Sequence, residues 1–406
     1  MPTTKRYETG LVVLFFLTWG SVFLARMSVL YLAPFLAPDL HLSHAQVGLL
    51  ASALALAWAG SGLILGAVSD RIGRRPVLIP AVFLFSIFSW LSGIARSFAE
   101  LLSIRTLLGV AEGPTWTTMT SMIEASSEAK NRGRNIGFVV SAASLVGFAL
   151  APVLTTQIAA RFGWRTAFFV TGIPGIILGI LIWRFVKEPG QTEDVHHHAK
   201  PSLQDYLSLL RYRNMLLCCL GAAGFMTWLF AMNVFAPLYI TEVSHQTATL
   251  AGFIIGAGGL GAFFGGWIFP WASDRTGRKP ILMFIALLSA TAPLIYPVPF
   301  LIAHPWLMAA AEFFANGGQG IAALVLVLIP TESVPSKLSA TAIGLATLVG
   351  EVFGGAMAPA FAGEAANRYG LGAPLWIASA GAIVVLAAAL FMKETVPEKT
   401  EPRSAE

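Results

Sequence analysis

The sequence predicts an all-α membrane protein with twelve transmembrane helices in two pseudo-symmetric six-helix bundles. Hydrophobic residues make up 56% of the 406 positions and charged residues 12%, and the mean hydropathy is +0.72. The pattern Ser-Asp-Arg-x-Gly-Arg-basic-Pro occurs at 69–76 and again at 273–280, as in a duplicated membrane unit. Because lipid cannot satisfy backbone polar groups, the uninterrupted apolar runs favour helices over a barrel.

Twelve apolar runs are long enough to cross a bilayer, since about 20 residues of helix span its hydrocarbon core. A polar linker, predicted at 187–212, separates an N-terminal bundle (1–186) from a C-terminal bundle with a short tail (213–406). The predicted spans are 11–36, 44–69, 76–95, 98–124, 133–160, 163–186, 213–243, 246–272, 279–300, 304–333, 337–366 and 373–393.

The basic residues predict the orientation of these spans. Of the 26 lysines and arginines, four lie in loops on the side opposite the termini (Arg96, Arg161, Arg165 and Arg368), and Arg26 and Arg105 lie inside spans. The other 20 are on the side of the termini, which the positive-inside rule makes cytoplasmic. We therefore expect a multi-pass protein of the cell inner membrane, with both termini cytoplasmic and no nucleic-acid partner.

Other classes of site have little support in the sequence. Cys218 and Cys219 are adjacent in an apolar run, which predicts neither a disulfide nor a metal site. The consecutive histidines at 196–198 lie in the linker and are expected to be solvated. Nothing matches a nucleotide-binding loop, so we expect no cofactor, no enzymatic activity and no primary active transport. The expected oligomeric state is a monomer.

The repeated loop carries a resemblance to a known family. The first copy reads Gly-x-x-x-Asp-Arg-x-Gly-Arg-Arg from Gly66 to Arg75. A second repeat relates Gly137, Gly147 and Pro152 to Gly344, Gly354 and Pro359, at an offset of 207 residues. With twelve spans and a polar linker, the chain resembles the major facilitator superfamily. That resemblance implies two bundles that rock about a central site and open it alternately to either side.

The loop also predicts a gate. Asp70 ends the second span, where its carboxylate can face the positive N-terminal end of the eleventh span, near Lys337. Such a contact would close the cytoplasmic side. Alternatively, these charges only fix topology. The predicted gating residues are Asp70, Arg71, Gly73, Arg74 and Glu124, with Arg132 beside them, in the first half and Asp274, Arg275, Gly277, Arg278 and Glu332 in the second.

Four ionisable residues lie well inside predicted spans: Arg26, Arg105, Glu112 and Glu351. An unpaired charge there costs at least ~2.5–3.5 kcal/mol, so each must face protein or water. One interpretation is a buried ion pair between an arginine and Glu112 or Glu351. The other is a binding site in which guanidinium groups receive a substrate carboxylate and a glutamate carries a proton.

The fourth-span pattern, Arg105-Thr-Leu-Leu-Gly-Val-Ala-Glu112-Gly-Pro, together with Arg26, resembles the anion:cation symporter family within that superfamily. The resemblance implies that Arg26 and Arg105 engage an anionic substrate and that Glu112 carries the proton. Many members have aspartate before the first-span arginine, where this chain has Ala25. Glu351 is open as a second proton site, a cation site or a partner of Arg26. Glu312 is expected nearer the outer surface, in contact with water.

Neutral side chains from both halves complete the predicted site. Asn233, Asn316 and Gln319 can offer hydrogen bonds to a substrate, or can satisfy neighbouring helices. Tyr31 and Trp116 can stack on a substrate body, or can simply pack.

These observations predict proton-coupled uptake of a small organic anion, a carboxylate, by alternating access. The expected partners are that anion, protons and the lipid bilayer. The alternatives are an efflux antiporter for drugs or metabolites, an anion exchanger, and a sensor that has kept the fold without transport. The run Ala151-Pro152-Val153-Leu154 lacks the glycines that follow Gly-Pro in the fifth span of drug-efflux members, which favours symport.

Overall fold

The computed structural model describes residues 5–188 and 203–396. Twelve long helices follow one another in these residues and form the predicted all-α membrane fold. They are α1 (Lys5–Tyr31), α2 (His44–Ile72), α3 (Arg75–Ile94), α4 (Phe98–Ser126), α5 (Arg132–Phe162), α6 (Trp164–Phe185), α7 (Arg213–Val243), α8 (Ala248–Thr276), α9 (Arg278–Thr291), α10 (Pro305–Ser333), α11 (Ser339–Tyr369) and α12 (Gly372–Phe391).

Ten of these helices are long and apolar enough to cross a membrane. The two that fall short are α4, which carries Arg105 and Glu112, and α9, which has only 14 residues. The ninth span is predicted to reach residue 300, but the helix ends at Thr291 and a short 3-10 turn follows. Proline rings at 293 and 297 explain the difference, because proline lacks the N–H that a continuing helix needs.

The helices run back and forth between two ends of the molecule. The basic end carries the α2–α3 and α8–α9 turns, at Gly73 and Gly277, where φ is +101° and +110°. The distal end carries the α1–α2 and α5–α6 turns. There Arg165 Nη1 donates to Asp39 Oδ2 at 2.6 Å, and this hydrogen bond lowers the pKa of the Asp39 carboxyl.

The two bundles touch each other in the distal half of the molecule. The Pro359 carbonyl of α11 lies so close to Gly48 of α2 that a side chain on Gly48 would collide with it. Ala45 also packs on α11, yet Leu56 and Leu63, on the same face of α2, are 59% and 60% exposed. The bundles therefore separate towards the basic end, and the molecule is open on that side.

The two halves repeat each other in detail. Segments of π-helix interrupt α5 at Ala143–Leu150 and α11 at Gly350–Met357, 207 residues later. Such segments are rare and concentrate at functional sites. The bounds at 186 and 213 remain predictions, and residues 189–202 of the predicted linker, with its three histidines, lie outside the described residues.

Candidate functional site

Arg26 lies where the two bundles meet in the middle of the molecule. Its Nη2 is 3.5 Å from Glu351 Oε2 of α11, and the two side chains are 4% and 8% exposed. The rings of Trp58 and Phe230 lie 5.0 and 5.5 Å from the guanidinium carbon, one from each bundle. The π-helical segment of α11 begins at Gly350 and so carries Glu351. The structure pairs Glu351 with Arg26, and its roles as a proton site or a cation site stay predictions.

Arg105 and Glu112 lie deeper in the first bundle, on α4. Arg105 donates from Nη1 to the Ala25 carbonyl at 3.1 Å and from Nη2 to the Arg26 carbonyl at 2.5 Å. In this conformation Arg105 is therefore hydrogen-bonded to the backbone of α1 at Ala25 and Arg26. Both carboxylate oxygens of Glu112 are buried without a hydrogen-bond partner among the described residues. Glu112 thus faces the positive charge of the two arginines without pairing directly with either.

A hydrogen bond also joins the two bundles, between Tyr31 and Asn233. The Tyr31 hydroxyl donates to Asn233 Oδ1 of α7 at 2.9 Å, and it also lies 3.2 Å from the Gly147 carbonyl of α5. Tyr31 and Asn233 are both predicted to contact substrate, and the structure joins them to each other. Trp116 packs instead on Trp19 of α1, with ring centroids 4.8 Å apart.

The three predicted amide residues line one cavity in the second bundle: Asn233, Asn316 and Gln319. Glu312 lines the same cavity and lies in the outer half of α10 as expected, but it is only 3% exposed, so the expectation that it contacts the surrounding water is wrong. Glu312 lies one turn before the break of α10 at Asn316, with its side chain against Gly258 of α8. The fully buried Tyr296 lines the same cavity beside Glu312.

The two gating loops differ in their side-chain contacts. In the second loop Arg278 donates from Nη1 to Asp274 at 2.5 Å and from Nη2 to Glu332 at 2.8 Å, and Arg275 stacks on a tryptophan of α8. In the first loop, no ion pair within the described residues involves Asp70, Arg71, Arg74 or Glu124. Asp70 is exposed at the open basic end, and its contact with α11 stays a prediction.

Each of the two loops is held by a glutamate that the sequence patterns did not single out. Glu188 accepts hydrogen bonds from the N–H groups of Arg74 and Arg75, at 2.8 and 2.7 Å. Glu394 accepts the equivalent bonds from Arg278 and Lys279, at 2.8 and 3.2 Å. A signal was available, because Lys-Glu follows both the sixth and the twelfth helix, at 187–188 and 393–394.

The arrangement is suited to binding, with a cationic group, acids and amides at the contact between two bundles. Within residues 5–188 and 203–396, no cluster of three or more histidine, cysteine or acidic side chains could hold a metal ion. Such groups can bind a small molecule through charge and hydrogen bonds.

Comparison with known proteins identifies the family of this chain. The Major Facilitator Superfamily family model matches residues 14–359. The chain belongs to this superfamily. It is therefore a multi-pass membrane transporter, and the predicted fold and family resemblance are confirmed.

Several members of the superfamily resemble this chain over most of its length. A probable 4-methylmuconolactone transporter of Cupriavidus pinatubonensis is 30% identical over 80% of this chain and 76% of its own. The hexuronate transporter of Bacillus subtilis is 30% identical over 67% of each chain. The cis,cis-muconate transport protein of Acinetobacter baylyi is 28% identical over 88% of this chain and 87% of its own.

Solved structures share the fold of this transporter. A bacterial homologue of the human lysosomal transporter Spinster, in an inward-facing and unoccupied conformation, superimposes with a TM-score of 0.73 at 18% identity, covering 96% of this chain and 95% of its own. The nucleoside transporter NupG gives a TM-score of 0.73 at 13% identity, covering 95% of this chain and 100% of its own.

Proposed function

We propose that this transporter takes up a small organic anion together with protons, and that Arg26 binds the carboxylate of the substrate. The observation that supports this most is the buried ion pair of Arg26 with Glu351, which joins α1 of one bundle to α11 of the other at 3.5 Å. Relatives named for hexuronate and muconate make a carboxylate the expected substrate class.

The Glu351 carboxylate pairs with the Arg26 guanidinium in the way that a substrate carboxylate would. An arriving carboxylate can replace it, because guanidinium binds carboxylates in a bidentate manner. The displaced Glu351 would then be a buried acid without a counter-charge, and taking up a proton relieves that cost. When the substrate leaves, the pair re-forms and the proton is released. This exchange of partners couples the proton to the anion.

Arg105 and Glu112 support this exchange from α4. Because Arg105 holds the carbonyls of Ala25 and Arg26, it positions the segment of α1 that carries the binding arginine. Direct contact of Arg105 with the anion remains a prediction. Glu112 is buried beside both arginines, so we assign it as a second carrier of the proton. Their removal is expected to affect coupling more than binding.

The open basic end supports a cytoplasm-facing state of this cycle. We propose that this end faces the cytoplasm of the inner membrane, because 20 of the 26 basic residues are predicted on that side. Re-forming the Arg26–Glu351 pair would let an empty carrier return, which favours net uptake over obligatory exchange.

Transport in proteoliposomes tests the proposal, with hexuronate and cis,cis-muconate as substrates and a lipophilic cation as the efflux control. Glu112→Gln and Glu351→Gln should lose accumulation driven by a pH gradient and keep counterflow. Arg26→Ala should lose both, and Glu364→Gln, an exposed glutamate paired with Arg368, should lose neither. Normal anion uptake by Arg26→Ala, or export of the cation alone, would contradict the proposal.

A further inference from the structure

The cavity in the second bundle contains a buried carboxyl that the proposed anion cycle does not use. Glu312 Oε2 has no hydrogen-bond partner among the described residues. The cavity is lined by α7, α8 and α10, by Tyr296, and by Phe148 from the first bundle. Its volume of about 30 Å³, measured to the centres of water-sized spheres, holds one small ion or one or two water molecules.

Oxygen donors converge on this cavity. Glu312, Asn316 and Gln319 come from α10, Asn233 from α7, and the hydroxyl of Tyr296 from the segment after α9. Lysine and arginine are missing from the lining residues of this described cavity. One carboxylate with several neutral oxygen donors matches the charge of a monovalent cation, whereas divalent ions are usually held by more carboxylates.

The backbone of α10 is opened beside the same cavity. Asn316 and Gly317 lie outside the helix; the Gly317 N–H donates to the Ala315 carbonyl at 3.1 Å, and Asn316 Oδ1 accepts from the Gly318 N–H at 3.4 Å. Interrupted helices near the middle of a transporter commonly supply the groups that bind coupling ions. Gly258 of α8 makes room for the acid, because a Cβ there would lie 2.8 Å from Glu312 Cγ.

The duplicated sequence gives an independent reason for a cation. Asn233, Glu312 and Gln319 lie 207 residues after Arg26, Arg105 and Glu112, the same offset that relates the π-helical segments. The second bundle thus places a carboxyl where the first places the guanidinium of Arg105. Reversing the charge at equivalent positions suits a ligand of the opposite sign.

We propose that this cavity is a sodium site, with Glu312 as the charged ligand and Asn316, Gln319 and Tyr296 as neutral ligands. A proton alone would not account for the several oxygen donors or for the space among them. Phe148 of the first bundle lines the cavity, and its carbonyl packs directly on Gly259 of α8. Separation of the bundles at the distal end would remove Phe148 from the cavity, so we expect the ion to enter from that side.

Thermal unfolding of the purified transporter without any organic anion tests this site separately from the anion cycle. NaCl should raise Tm by about 2 °C at ten times Kd, relative to equal concentrations of KCl and choline chloride. Glu312→Gln should abolish the shift, and Asn316→Ala, which keeps the charge, should raise the sodium Kd at least tenfold. Glu364→Gln should behave as the wild type.

Three outcomes would overturn the sodium site. One is an equal effect of the three salts on the wild type. Another is a sodium shift that survives in Glu312→Gln. The third is stabilisation of the wild type by low pH that disappears in Glu312→Gln and is unaffected by sodium, because Glu312 would then bind a proton instead. If Glu312→Gln does not fold, the sodium affinity of Asn316→Ala decides the question.

Discussion

The two copies of the gating loop share a backbone but not a set of contacts. Each turns at a glycine with positive φ, and each is held by a glutamate that follows the last helix of its bundle. In the second copy, however, Arg278 is tied to Asp274 and Glu332, whereas Asp70 and Arg74 of the first copy have no ion-pair partner among the described residues. The difference indicates that the second loop is fastened within its own bundle and that the first is available to pair across the opening.

The largest effect is expected from removing the arginine that fastens the second loop. Arg278→Ala should lower the free energy of unfolding by about 2 kcal/mol, because it leaves two acids near a partly buried site without their partner. Arg74→Ala, the matched change in the first loop, should cost no more than about 0.5 kcal/mol. Thermal unfolding in detergent measures both variants, and equal shifts in Tm would mean that the loops do not differ.

Replacing the aspartate of each loop should affect transport in the first loop and stability in the second. Asp70→Asn should lower the initial rate of counterflow about tenfold, equivalent to ~1.4 kcal/mol, because closing the basic end would lose the contact of Asp70 with α11. Its Tm should remain that of the wild type. Asp274→Asn should instead lower Tm slightly and slow transport less. A normal rate in Asp70→Asn would remove the proposed gate.

The smallest effect on stability is expected from the glutamates, Glu188 and Glu394, that hold the two loops in the same way. Burial raises the pKa of the Glu394 carboxyl, but hydrogen bonds from the N–H groups of Arg278, Thr395, Val396 and Lys279 lower it overall. The stabilisation is therefore present above the usual glutamate pKa of about 4.3 and is lost as the pH falls through the lowered value.

Glu394→Gln should accordingly cost about 1 kcal/mol at neutral pH and less under acidic conditions. Glu188→Gln is the matched control and should cost less at neutral pH, because Glu188 is more exposed. Tm measured for both variants near neutral pH and near pH 4 checks this. A Glu394→Gln deficit that grows on acidification would have the wrong sign.

The sequence by itself determined the parts of this protein that depend on local composition and on repetition. Apolar runs predicted the helices because a membrane span must satisfy its own backbone. The repeated Asp-Arg-x-Gly pattern predicted a duplicated membrane unit, and the structure has a glycine with positive φ in both copies. Charges inside apolar runs identified Arg26, Arg105, Glu112 and Glu351 as unusual, because lipid makes such charges costly.

Only the tertiary structure decided which of these groups meet. The partner of Arg26 lies 325 residues away, Arg105 contacts carbonyl groups that every residue possesses, and Glu312 is buried against Gly258 of α8. The different contacts of Arg74 and Arg278 likewise arise from nearly identical loop sequences. Such contacts depend on the rotation and packing of helices from distant parts of the chain, and a lipid-facing and a protein-facing residue can have the same sequence neighbours.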